Sequence, residues 1–205
     1  ERLVEDSESV SVTTWMAHSI LGFYSEDDKN DLTQSYAHFN AALDSEMQAH
    51  VRTQMMDMPV FAAWVEIIVG EAYRRTERWQ ESLDMLKYVT EAYSDQPISM
   101  PTALYYKAYL EGFLCKTADE GIAGFEDLLA AYPDNDHSDR SVWQIGNLEF
   151  TKGNCEAAYD IYYEVLVEYP DSELAVTAEE TMGAIATNFL EAAPEGGGTE
   201  PPVNM

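Results

Sequence analysis

The chain has 205 residues, 46% hydrophobic and 12% aromatic, which is enough for one domain with a sizeable core or a short solenoid and too apolar for a disordered chain. It carries 38 Asp and Glu against 11 Lys and Arg, a formal net charge of -27. That balance disfavours nucleic acid and anionic membrane surfaces, whose binders need a basic stripe, and fits a solvated acidic surface, a basic protein partner or a saline habitat.

Residues 1 to 8 are acidic and polar and read as a frayed end. A helix is predicted from near Ser9 through Trp15, Ile20 and Phe23, broken by the polar cluster from Ser25 to Asp31. Asp31 is predicted to cap the next helix, its carboxylate accepting backbone N–H bonds. That helix carries Tyr36, Phe39, Leu43 and Met47 on one apolar stripe and reaches about Met56. Pro59 opens the following helix, being tolerated at a helix start and not inside one. Phe61, Trp64, Ile67, Ile68 and Tyr73 lie on it, and Trp79, Leu83, Leu86 and Val89 build its partner.

A turn with two prolines spans Asp95 to Pro101. Leu104 to Leu114 is an apolar helix, and Thr117 to Tyr132 is its partner, with Ile122, Phe125 and Leu128 inward. The loop Asp134 to Ser138 leads to a helix bearing Val142, Trp143, Ile145 and Phe150, which ends in a tight turn at Gly153 and Asn154. Ala158, Ile161, Tyr162 and Val165 line the next helix, and Asp171 or Ser172 caps a last one ending near Leu190. The tail from Pro194 to Met205 is Gly- and Pro-rich and reads as a disordered segment or a linker. No strand is predicted. The expected fold is all-α, about nine helices joined mostly by short turns, so that neighbours run antiparallel.

Tyr132-Pro133-Asp134 and Tyr169-Pro170-Asp171 each close a helical stretch, and Tyr93-Ser94-Asp95 is a weaker copy; the steps are 39 and 37 residues. A fixed period in that range marks a helical repeat array. The last unit reads Trp143, Ile145, Gly146, Phe150, Gly153, Ala158, Tyr162, Val165, Tyr169, Pro170, and this pattern resembles a tetratricopeptide repeat. The unit ending at Ser94 has Gly70, Tyr73, Trp79, Ser82 and Leu86 in the matching places. The middle unit has Phe125 at the ring position but Gly121 at the second small position and Tyr109 where Gly is expected.

The resemblance implies an α-solenoid, a right-handed superhelix of helix pairs. In it Gly146 is the small residue at the helix crossing, Ala158 lies opposite, and the Tyr162 ring packs between neighbouring units. It covers Phe61 to Asp171, about 110 residues. The Tyr-Pro-Asp endings are similar to the subclass in bacterial cell-envelope proteins, such as the Tol-Pal coordinating protein and the outer-membrane assembly lipoproteins. The expected organisation is a helical pair or worn repeat over 1–57, an array with a capping helix over 58–192, and a tail over 193–205.

The family binds partners on the concave face, formed by the first helix of each unit. Carried over residue by residue, that face is Trp64, Ile67, Glu71, Arg74 and Arg75; then Ala103, Tyr106, Leu110, Phe113 and Leu114; then Arg140, Trp143, Asn147, Phe150 and Thr151. The middle row is apolar, as a docked peptide or helix requires, or is covered by the chain itself. Arg74, Arg75 and Arg78 form a basic cluster; at the concave positions Arg74 and Arg75 would hold a partner's carboxylate or, alternatively, local salt bridges near a helix C-terminus.

No catalytic or phosphate-binding motif is present, His18, His38, His50 and His137 have no ligand spacing, and no metal or cofactor is expected. The acidic run Asp134, Asn135, Asp136, Asp139 lacks the turn glycine and closing glutamate of a calcium loop. Met47, Met55, Met56 and Met58 read as flexible packing or an adaptable contact surface rather than a copper site, and Cys115 and Cys155 as small buried residues in helices. The chain begins at Glu1 without Met, so a removed signal or anchor is an expectation.

The expected function is a non-catalytic scaffold that binds a protein partner, one with a basic segment, in a bacterial envelope assembly, with a periplasmic setting ahead of a cytoplasmic one. A self-assembling structural subunit and a small-ligand-binding helical domain are the alternatives.

Overall fold

The computed structural model describes residues 12–27, 32–55, 57–115 and 117–190. Among them are ten α-helices and no strand: α1 (Val12–Asp27), α2 (Leu32–Ala42), α3 (Ser45–Met55), α4 (Pro59–Arg75), α5 (Trp79–Ala92), α6 (Met100–Tyr109), α7 (Ala118–Ala131), α8 (Ser138–Thr151), α9 (Cys155–Glu168) and α10 (Glu173–Ile185). Two π-helical turns, Leu110–Cys115 and Ala186–Leu190, continue α6 and α10. Within each unit helices pack mostly on near neighbours in sequence, a solenoid-like all-α arrangement. The chain divides into two units, one through His137 and one from Ser138.

The first helix runs to Asp27, past Ser25 where a break was expected. The expected cap Asp31 lies outside the described residues. The single helix expected from there to about Met56 is two helices, broken at Leu43 and Asp44. Asp44 is the reason: its carboxylate accepts the Met47 N–H at 3.0 Å and opens α3.

Trp15 of α1 is 1% exposed and donates its indole N–H to the Ala42 carbonyl at the end of α2, 3.1 Å away. A buried indole needs such an acceptor, and this one fixes the spacing of the two helices. Phe39 is fully buried against Gly22, where a Cβ would come within 2.8 Å of the ring. Trp15 and Ala42 then share one cluster with Val51 of α3 and Val65 and Val69 of α4, with Met47 and Met55 packed on it. The core is therefore continuous across residues 57 and 58, and these two methionines serve as packing.

Between α1 and α2 the His18 and His38 rings meet with their Nδ1 atoms 3.1 Å apart. Burial, and then the charge of His38, pull the His18 imidazole below its usual range. The folded state thus binds fewer protons than the unfolded chain below pH ~6.5, and stability is lost as pH falls from there through the lowered folded value. A His18→Gln variant is expected to lose less stability than the wild type between about pH 7 and 5 in urea titrations. Equal losses would remove His18 from the account.

The hairpin α4–α5 closes on Gly70. Leu86 lies over it, with Cγ 3.3 Å from where a Cβ would be, and the Ser82 hydroxyl donates to the Gly70 carbonyl at 2.7 Å. The α8–α9 hairpin repeats the plan 76 positions on, where the nearest atoms to a Cβ built on Gly146 belong to the Tyr162 ring, at 2.6 Å. The turn residues obey the same offset. Glu77 takes φ 59° where Gly153 takes φ 85°, a left-handed conformation natural to glycine and strained for glutamate.

Two details differ from the sequence reading. Tyr162 packs inside its own hairpin: its ring covers Gly146, lies tilted against Trp143 with centroids 4.7 Å apart, and its hydroxyl donates to Asn147 at 2.8 Å. In the middle hairpin the close crossing is Ala108 with Gly124, where a Cβ would be 2.8 Å from the alanine Cβ. Ala108 stands nine residues before the cap Thr117, whereas Gly70 and Gly146 stand eight before their caps Arg78 and Asn154. The π-helical turn Leu110–Cys115 absorbs the extra residue. Counting back by the common offset therefore landed on Tyr109.

Thr117 starts α7 with a capping box. Its Oγ1 accepts the Glu120 N–H, and Glu120 accepts the Thr117 N–H. In the second unit Ser172 caps α10, accepting from Leu174 N–H at 3.1 Å and donating to Asp139 at 2.5 Å. Of the two caps expected, Ser172 is the one used. The acidic junction before α8 is turn chemistry as well: the Asn135 amide donates to the Tyr132 carbonyl and its oxygen accepts the His137 N–H.

Candidate functional site

In the first unit, α4 and α6 bring together part of the expected face. Glu71 of α4 is 3% exposed, yet it is the centre of the group. Arg74 donates to it through Nε and Nη2, and Arg75 donates through Nε at 2.9 Å. These contacts follow from spacings of three and four residues, which place side chains one turn apart on the same face.

The Arg74 guanidinium also lies over the Tyr109 ring, 5.8 Å from its centre. Tyr109 in turn packs on Phe113 at 4.9 Å. Further along α6, Lys107 pairs with the buried Glu111 at 3.0 Å.

Burial alone would weaken the Arg74 charge, but the hydrogen bonds and charge of Glu71 more than compensate and hold its pKa above the ordinary value. Burial, followed by the Glu71 charge, pushes the Tyr106 phenol up to about 12, so it remains a hydrogen-bonding hydroxyl at any physiological pH. Two guanidiniums share the Glu71 carboxylate, a basic pair in a chain of net charge -27.

Several expected contact residues are instead core. Ile67 clusters with Val89 and Ala103, with Trp64 and Tyr106 packed partly against them. Leu110 is fully buried with Leu83 and Leu86. These three, Ile67, Ala103 and Leu110, point inward because they pack where the α4–α5 hairpin meets α6; the carried-over rows mixed this buried stripe with the open face. Phe113 is half-buried and Leu114 exposed.

In the second unit, Arg140, Phe150 and Thr151 are exposed, and Trp143 and Asn147 are half-buried beside Tyr162. Burial pushes the Tyr162 phenol up to about 12 as well.

Tyr109 was missed as a site residue because it occupied the place expected for a crossing glycine. The extra residue in α6 turns it toward Arg74. A second charged group lies at the α3–α4 junction, where Arg52 grips the buried Glu66 with both edges of its guanidinium, at 2.6 and 2.7 Å. The hydrogen bond that Arg52 donates to Glu66 is the main cause of its raised pKa. The pair borders a hollow of about 230 Å³ with Met55, Pro59, Tyr88 and Tyr93. Burial, then a hydrogen bond with Tyr88, pushes the Tyr93 phenol up to about 12. The partnering of a core-facing glutamate with an arginine 14 residues earlier has no local sequence signal.

Among the described residues no three His, Cys, Asp or Glu side chains gather closely enough to hold a metal. Cys115 and Cys155 are thiols and not a disulfide. No described helix is long and apolar enough to cross a membrane. No protein-family model matches the chain, and no curated protein matches it either.

Proposed function

We propose that the protein is a non-catalytic scaffold that docks a peptide or helix of a protein partner on the α4–α6 face of its first unit. The observation that carries this reading is the fixed group Glu71, Arg74, Arg75, Tyr106, Tyr109 and Phe113. A buried carboxylate holds two arginines in place, and aromatic rings lie beside them. Side chains already locked lose little entropy on binding, and arginine beside tyrosine is the composition of interface hot spots. A partner segment would rest an apolar side chain on Tyr109 and Phe113 and turn a carboxylate toward the guanidiniums of Arg74 and Arg75. The net charge of -27 would speed capture of a partner that also carries a basic segment.

An envelope setting, periplasmic, rests on the Tyr-Pro-Asp endings and their resemblance to envelope repeat proteins. The test is affinity capture by the purified chain from a bacterial envelope extract, compared with a Tyr109→Ala/Phe113→Ala double variant at low and tenfold higher salt. A partner recovered by the wild type is expected to fall about tenfold with the variant and to fall again at high salt. Equal recovery by both proteins would reject this face, and insensitivity to salt would reject the electrostatic part.

A second reading, self-assembly, is favoured by the exposure of Tyr163, Val167 and Val176 on α9 and α10 of the second unit. Sedimentation over a hundredfold concentration range separates the two readings. A strict monomer removes the second.

A further inference from the structure

We infer that a hollow at the loop edge of the first unit is a separate docking surface, fitted to an extended basic segment of a partner protein with a lysine or arginine beside an apolar side chain. The hollow measures about 420 Å³ and lies between two successive inter-repeat loops. One wall is Pro97, Ile98 and Pro101, from the connection into α6; the other is Pro133, Asp134 and Asp136, from the connection into α8. The volume suits two or three side chains of an extended chain and excludes a whole helix.

The hollow is built rather than incidental. His137 lines it and is fixed on three sides: its ring stacks on Tyr105 at 4.7 Å and 14°, its Nε2 lies 3.0 Å from the Thr102 hydroxyl, and its N–H donates to Asn135. Prolines restrict the backbone of both walls. Ile98 is 68% exposed, the highest value among the exposed large apolar side chains of the described residues, and it is held there between two prolines. An apolar side chain kept so far in water beside a preformed hollow is a contact surface in search of a cover.

Charge selects the cover. Asp134 and Asp136 are exposed on the facing wall, and no Lys or Arg lines the hollow. An acidic segment, a nucleic acid or an anionic lipid would be repelled. A cationic side chain would meet the two carboxylates while its apolar neighbour covers Ile98. The Tyr-Pro-Asp ending of the middle repeat, Tyr132-Pro133-Asp134, thereby supplies both a wall and one of the charges. This surface does not depend on the α4–α6 face.

The test is selection of a phage-displayed random dodecapeptide library on the full chain at roughly physiological salt. Enriched peptides are then measured by fluorescence anisotropy against the wild type, Ile98→Asp, Asp134→Asn/Asp136→Asn and Tyr109→Ala. The expected result is a basic and apolar consensus that binds Ile98→Asp at least about tenfold more weakly, although that variant is more acidic, and the double asparagine variant about tenfold more weakly. Tyr109→Ala is expected to bind as the wild type does. Failure to enrich basic peptides would overturn the proposal. So would equal binding to Ile98→Asp, which would mean general attraction to an acidic surface, or loss with Tyr109→Ala alone, which would place the peptides on the α4–α6 face.

Discussion

Replacing Glu71 with Gln is expected to destabilise the first unit by about 3 kcal/mol, a large share of the stability of a domain this size. Glu71 is 3% exposed and accepts from both Arg74 and Arg75, whose side chains are 20% and 19% exposed. The amide removes the carboxylate charge that both guanidiniums share and leaves like charges adjacent and largely out of water. Its single oxygen also replaces two acceptors, so at least one N–H loses its partner. Urea unfolding followed by the fluorescence of the four tryptophans measures the loss. An added Arg75→Gln is expected to restore part of it, because the repulsion then disappears, and a double-mutant cycle reads the coupling directly. A loss below about 1 kcal/mol would show that water reaches the group freely and that it is not preorganised.

Replacing Gly146 with Leu is expected to cost about 3 kcal/mol and to act on the second unit alone. Its Cβ would lie 2.6 Å from the Tyr162 ring, and that ring cannot retreat without breaking the hydrogen bond to Asn147 and the contact with Trp143. The appropriate control is Gly183→Ala on α10. No atom lies within 4 Å of a Cβ there, so alanine should be neutral or stabilise by up to about 1 kcal/mol through helix propensity. Hydrogen exchange is expected to show Gly146→Leu loosening α8 to α10 and Glu71→Gln loosening α4 and α6. An even loss of protection over both units in either variant would contradict the division at His137.

The repeat period was legible because crossing glycines, caps and the Tyr-Pro-Asp endings are local features, and Gly70, Gly146 and Ser172 act as the spacing implies. The period failed where a single residue was added. The π-helical turn after Tyr109 has no sequence mark of its own, and it moved the crossing to Ala108 and turned Tyr109 outward. The break at Asp44 was missed for a related reason, since the apolar stripe continues in register across it and only the aspartate's capping bond ends α2.

At the candidate site the arginine cluster was readable as charge, with both its partner-binding and its local salt-bridge readings. What joins Arg74 and Arg75 is a buried glutamate on the same helix, and this gives the local ion pairs. The burial of Ile67 and Leu110 depends on packing between the α4–α5 hairpin and α6 and cannot be read within one helix.

The acidity of the chain bears on both proposed surfaces. At net charge -27 self-repulsion opposes the compact state, and moderate salt should stabilise the fold while weakening capture of a basic partner. Binding assays therefore need a stability measurement at each salt concentration.

The most direct measurement of the docking claim is photo-cross-linking. Phe113, half-buried beside Tyr109, is replaced by p-benzoylphenylalanine, with the same replacement at exposed Tyr163 of α9 as the comparison. With the captured partner bound, a cross-link from position 113 and none from position 163 is the result expected. A cross-link from position 163 and none from position 113 would contradict the account and move the partner to the second unit.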